Sequence, residues 1–326
     1  MVQETVRQHY VPRTYLKHFS EVEMSNFFFY ALPTDKRSAS TIFRTNIVNV
    51  CLQKHIYTLP GATVQERMLI EKIYSDVFEK EYDQVYQLLT DPQKINLTKI
   101  EREQIISTVV TMFYRTPNWN KFYYDFMNQL LERAYYGTKH SGHDYFMFEN
   151  SKISIAGKSL QDLQKEHIEE SKPMLILSGL RHAMKLIALR SVADCIIVTK
   201  LNDKDGFITS DNPVTCNNVN GGHIMPIDPS NIFSLPLDSQ HLLTLLPLED
   251  PESKHYIRRE GHSGKIGLMA KLASNYGQEK NAQNFLLGNK NNLEEYLQDI
   301  KRTEDPSPDK EMEGLKSFVD NLNKIL

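Results

Sequence analysis

The chain has 326 residues, with 38 Lys and Arg against 41 Asp and Glu for a net charge of −3, and 40% of it is hydrophobic; these values sit near globular averages and exclude disordered or disulfide-stapled classes. A mean hydropathy of −0.46 and the lack of an apolar run near 18 residues argue against a membrane span, and the near-neutral balance argues against coating nucleic acid by bulk charge. Cys51, Cys195 and Cys216 are far apart and form no Cys-x-x-Cys pair, and residues 1–5 carry no basic-then-apolar signal, so a cytosolic chain with reduced thiols is expected.

Short β-type runs come first, at Asn26-Phe27-Phe28-Phe29-Tyr30 and His55-Ile56-Tyr57-Thr58, separated by turn residues. Thr63-Val64-Gln65-Glu66 has the capping-box pattern, in which hydroxyl and carboxylate satisfy free N–H groups of a first helical turn. Apolar residues from Met68 to Leu89 then keep three- and four-residue spacing, which predicts one long helix ended by Asp91-Pro92. A second helix is expected from Leu97-Thr98 to Arg115-Thr116-Pro117, and a third from Asn118 to Tyr136, stopped by Gly137. The three should pack as short-looped antiparallel neighbours. Residues 160–191 read as two helices broken near Pro173.

Strands then dominate, at 195–198, 206–209, 232–235 and 242–246, before helices at about 265–287 and after Asn291. Thr303 to Lys310 reads as an exposed linker ahead of a final helix. The expected class is α+β: mostly helical, with a small, largely antiparallel sheet built from N-terminal strands and those of residues 195–250. A single large domain is expected, with a helical core over about 62–190, a strand cluster over about 194–248 and C-terminal helices over about 264–326.

Two polar motifs stand out. The first is Gln8-His9-Tyr10-Val11-Pro12-Arg13-Thr14-Tyr15-Leu16-Lys17-His18-Phe19, and the second is Gly206-Phe207-Ile208-Thr209-Ser210-Asp211-Asn212-Pro213-Val214. With the intervening His55-Ile56-Tyr57, Arg115-Thr116-Pro117 and Phe233-Ser234-Leu235-Pro236-Leu237, the chain over about 8–290 resembles the family catalogued as domain of unknown function 4238. That resemblance implies a widespread microbial protein without an established activity, some of whose members are associated with phage-defence gene clusters.

The residues carry their own chemistry. His9 can move a proton near neutrality or ligate a metal, or it can satisfy a turn before Pro12. Arg13 has the forked donor geometry that suits an anion. Thr209, Ser210, Asp211 and Asn212 supply more polar groups than a bend needs, so they read equally as a site or as a structural corner. Glu71 and Glu79 lie two helical turns apart, roughly 12 Å; Glu71 can join a metal site or a solvated face, whereas Glu79 reads as solvated surface. Arg115 can cap its helix or meet a substrate. Gly261-His262-Ser263-Gly264-Lys265 ends like a phosphate loop, but Arg259 stands where its first glycine is required.

Two readings follow. One is a metal-assisted phosphodiesterase or nuclease in a defence role, acting on nucleic acid or a nucleotide. In it His9, Asp211 and Asn212 are catalytic, Arg13, Ser210 and Arg115 bind substrate, and Glu71 helps hold a divalent ion such as Mg or Mn. The other is a non-catalytic sensor or interaction module whose polar motifs fix the fold.

Overall fold

A computed structural model describes residues 4–304 apart from 149–150, 205, 219–227, 229 and 248–254, together with residues 317 and 321. The expected linker and final helix therefore lie largely outside the described residues; Thr303 and Glu304, expected in the exposed linker, are helical with Thr303 buried, and Ser317 and Asn321 are helical as expected. Strand β1 (Arg7–His9) runs through Pro12 into the short helix α1 (Arg13–Leu16), and strands β2 (Glu21–Glu23), β3 (Asn26–Pro33), β4 (Phe43–Asn46) and β5 (Leu52–Lys54) follow. The β2–β3 hairpin turns on Met24 and Ser25, both with positive φ, the backbone twist that suits a two-residue hairpin loop. His55 to Tyr57, expected as a strand, is a turn, because His55 takes a φ of 53°.

Helices α2 (Val64–Arg67), α3 (Leu69–Ile73), α4 (Tyr82–Thr90), α5 (Lys99–Arg115) and α6 (Pro117–His140) form the middle of the chain. Capping boxes at Thr63 with Glu66 and at Thr98 with Glu101 start α2 and α5. The single long helix expected over 63–91 is instead broken twice. Met68 leaves helical geometry, and Tyr74–Glu79 forms a π-helical stretch between α3 and α4. Such a stretch adds a residue per turn and resets which side chains face the core, a shift that three- and four-residue spacing alone does not reveal. Helix α6 also passes through Gly137, and the left-handed residue is Gly142 instead.

After the hairpin β6 (Tyr145–Phe148) and β7 (Ser151–Ser154), helix α7 (Leu160–Ala193) is unbroken over 34 residues despite Pro173. The carbonyl left without a donor by Pro173 belongs to Glu169, an exposed residue that water can serve. The rest comprises β8 (Asp194–Leu201), β9 (Thr209–Ser210), β10 (Thr215–Asn218), β11 (Asn231–Pro236), β12 (His241–Pro247), β13 (Ile257–His262), α8 (Gly264–Asn281), β14 (Phe285–Gly288) and α9 (Lys290–Glu304).

The α+β class holds, but the strands do not make one small sheet. Among the described residues, one five-stranded sheet has the order β10-β11-β12-β8-β13, antiparallel except for the parallel β8–β13 pair. A second has the path β2-β3-β14-β9, with β4 also paired to β3. Strand β9, which carries the second polar motif, thus joins the N-terminal strands and not its sequence neighbours. The partner that makes this join is β14, a segment the apolar spacing had extended as helix to Leu287. One hydrophobic cluster draws on Tyr15, Phe29, Tyr82, Ile105, Leu186, Phe233 and Leu287; a smaller one sits under α9 around Ile208, Tyr276 and Tyr296.

Candidate functional site

The second motif is held by three side chains spaced three residues apart along one flank of α8. Asn275 accepts from the Ile208 N–H (3.0 Å) and donates to the Gly206 carbonyl (2.8 Å). Gln278 accepts from the Ser210 hydroxyl (2.8 Å) and donates to the Pro213 carbonyl (2.7 Å). Asn281 donates to the carbonyls of Asn212 (2.6 Å) and Val214 (2.8 Å), and Asn212 returns a bond to the Asn281 carbonyl. These amides replace the strand partners that residues 206–214 largely lack, which is why so irregular a backbone can be buried.

Asp211 completes this belt and does not open onto a cleft. Its carboxylate accepts from the backbone N–H groups of Gln283 (2.8 Å) and Asn284 (2.9 Å) and from the Asn284 side chain (3.0 Å). It is 0% exposed, and burial pushes its carboxyl above the usual range against the pull of those donors. Ser210 and Asn212 are likewise buried. The same bonds stop α8 at Asn281, since they draw 283–284 into the extended path that becomes β14.

The two motifs meet at Tyr15. Its hydroxyl donates to the Pro236 carbonyl (2.8 Å) and accepts from Thr209 (2.6 Å), so β9, β11 and α1 share one buried contact. The candidate catalytic groups do not converge there, because neighbouring residues of an extended segment point to opposite sides. Tyr10 faces the field of Asp211 and Cys51, whereas His9 faces Arg13, Glu79 and Arg115.

Arg115 is the hub on the His9 side. It donates to the His9 carbonyl (2.8 Å) and to Glu79 (2.7 Å), and its guanidinium lies 4.6 Å from the Tyr74 ring centre. Tyr57 in turn donates to the Arg115 carbonyl (2.5 Å), and the Gln8 side chain accepts from the Tyr57 N–H (2.8 Å). Arg115 is 3% exposed, so it ties α5 to β1 and to the π-helical stretch and is not open to a large substrate. Glu79, read as solvated surface, is its ion partner. Burial pushes the Glu71 carboxyl up to about 7 against the pull of Arg115, and its Oε2 has no partner among the described residues. Burial, followed by the charge of Arg13, holds His9 down at about 4. One ring N–H of His9 donates to the Ile47 carbonyl, and its Nε2 is buried without a partner.

Next to this pole lies an open cleft of about 390 Å³, lined among others by Arg13, Thr14, Lys17, Asn26, Asn46 and Ile47. Arg13 is exposed and has no hydrogen-bond or ion-pair partner among the described residues, and the Thr14 hydroxyl is buried without one. Lys17 is engaged with Asp83 at 2.5 Å. Asn26 and Asn46 carried no signal in the sequence, because hairpin and loop geometry alone bring them to Arg13 and Thr14. Gln278 and Asn284 were missed too, although amides at three-residue spacing within an apolar helix were there to be read.

Among the described residues, no group of three or more His, Cys, Asp or Glu side chains is arranged to hold a metal ion. The expected trio of His9, Glu71 and Asp211 is split, with both Asp211 oxygens committed to the belt. No helix among the described residues is long and apolar enough to cross a membrane.

Fold and site together define an α+β protein with a buried polar belt around Asp211 and, elsewhere, an open cleft lined by Arg13 and Lys17 on one hand and Glu79 on the other. The chain belongs to the family described as "Protein of unknown function (DUF4238)", whose family model matches residues 7–325. No curated protein and no solved structure matches it.

Proposed function

We propose that the protein is a binding module for an anionic, phosphate-bearing small molecule such as a nucleotide, captured in the Arg13 cleft. The observation that carries this reading is the unpartnered Arg13 guanidinium at the rim of a 390 Å³ cleft whose wall also holds the unpartnered Thr14 hydroxyl. An arginine fork donates two parallel bonds to a phosphate. The volume falls in the range of small-molecule sites. His9 backs the cleft through Ile47. Ser210, Asp211, Asn212 and Arg115 act as frame, and Glu71 is a buried acid without a metal role. The whole chain acts as one domain in this reading, supported by a hydrophobic cluster that draws on residues from Tyr10 to Leu287.

The alternative, a metal-assisted phosphodiesterase or nuclease linked to phage defence through the family resemblance, needs Asp211 among its ligands. The belt takes both oxygens of that carboxylate, which favours the binding module. Calorimetric titration with nucleoside mono- and diphosphates and with inorganic phosphate tests the proposal. Saturable binding by the native protein, weakened at least about tenfold by Arg13→Ala, is expected, since losing a bidentate charged contact costs about 1.5–3 kcal/mol. Absence of binding by every phosphate compound, or equal binding by Arg13→Ala, would overturn it.

A further inference from the structure

From Met174 onward, helix α7 has apolar residues on all sides, the pattern of a helix that is covered all round. Its inner face buries Leu175, Ile176, Ala183, Leu186 and Ile187. Its outer face nevertheless exposes Met174 (53%), Leu177 (48%), Met184 (53%) and Val192 (69%). At 100° per residue these four fall within one arc of the helix, and Glu166, Glu170, Arg181 and Lys185 fall in the same arc. Beyond Met184 the stripe borders a groove of about 600 Å³ shared with α5, whose Ile100 is 69% exposed. Large apolar side chains this exposed, grouped on one helix face and interspersed with charges, mark an interaction surface.

The charges along the stripe select the partner. The first half of α7 carries Asp162, Glu166, Glu169 and Glu170 against Lys165 and Lys172, with Glu166 in a half-exposed pair with Lys158 (2.6 Å), while the second half carries Arg181 and Lys185 as its exposed charges and no acidic residue. A helix acidic at one end and basic at the other is complementary to itself when laid antiparallel. A two-fold axis midway between Met174 and Leu177 sets Met174 against Leu177 of the second chain and brings Glu166 beside Lys185 and Glu170 beside Arg181 of that chain. Residue i meets j and j meets i, as an isologous interface requires.

We propose that the protein forms a two-fold dimer through antiparallel pairing of its α7 helices, centred on Met174 and Leu177. The test is light scattering coupled to size exclusion, with sedimentation across a concentration series. A mass near twice 37.8 kDa is expected for the native protein, with Leu177→Glu monomeric, its far-UV circular dichroism that of the native fold and its melting temperature independent of concentration. The double variant Glu166→Lys with Glu170→Lys, and separately Arg181→Glu with Lys185→Glu, should each shift the equilibrium to monomer. All four changes in one chain restore opposite charges across the axis and should restore the dimer. These charge reversals lie on the exposed face and leave the apolar residues in place; the one pair they break, Lys158 with Glu166, is a surface pair worth at most about 1 kcal/mol, so folding is kept. A native protein that is monomeric at all concentrations overturns the proposal. So does a dimer indifferent to Leu177→Glu, or a four-fold variant that stays monomeric.

Discussion

The belt around Asp211 and the cleft beside Arg13 both gather polar side chains, around one carboxylate in the belt and around Arg13, Lys17 and Glu79 in the cleft. They differ in where the hydrogen bonds go. In the belt, amides of α8 and backbone N–H groups of 283–284 occupy the polar atoms of 206–214 almost completely. At the cleft, Arg13 and Thr14 keep donors that the protein leaves unused. A polar cluster of the first kind resists unfolding and specifies one chain path, whereas one of the second kind is stabilised when something binds. Polarity alone therefore does not mark a site. Unmet bonding capacity beside open volume is the better mark.

Asp211→Ala should show the largest effect. It strips the acceptor from three N–H groups in a dry setting, so a loss of about 3 kcal/mol or more is expected, or roughly 4–5 °C or more in melting temperature for a chain of this size. A melt shifted by less than a degree would show the belt to be as open as the cleft. Tyr15→Phe is next. It removes the hydroxyl that joins Thr209 to the Pro236 carbonyl and should cost about 1–2 kcal/mol, read by urea unfolding.

Glu71 sharpens the comparison through pH. Its folded-state value near 7 lies above its ordinary 4.5, so its contribution is fully present below 4.5 and is lost as pH rises through 7. Glu71→Gln should therefore melt roughly 2–4 °C above the native protein at about pH 8, with partial solvent screening keeping the gain small, and should match it below about pH 4.5. His9 works in the opposite sense: held near 4 against 6.5, it contributes stability above 6.5 that is lost as pH falls through 4. Equal melting of Glu71→Gln and native protein at both ends would mean that Glu71 is solvated. Arg13→Ala should have the smallest effect on folding, within about 0.5 kcal/mol, because an exposed, unpaired side chain supports nothing. A clear fall in its melting temperature would move Arg13 from the cleft to the frame.

Local chemistry carried the elements whose causes lie within a few residues. The Thr63–Glu66 capping box, the α5 helix with its end at Arg115, the strands at 195–198, 232–235 and 242–246, and both polar motifs could be read directly because caps, apolar spacing and turn residues act over one helical turn or one strand. The open choice at Asp211, site or corner, could not be closed that way. Its partners Gln283 and Asn284 are more than 70 residues distant, and the helix that ends in front of them does so because Asp211 and Asn212 hold the chain there. The π-helical stretch at Tyr74–Glu79, the passage of α7 through Pro173 and the pairing of β9 with β14 are likewise settled by burial and solvent access, not by propensity. His9 and Tyr10 are adjacent in the chain yet serve opposite sides of it, which only the path of β1 against β5 decides. Sequence fixes which residues can bond; the packed chain decides which of those bonds are already made, and Arg13 is where one is left over.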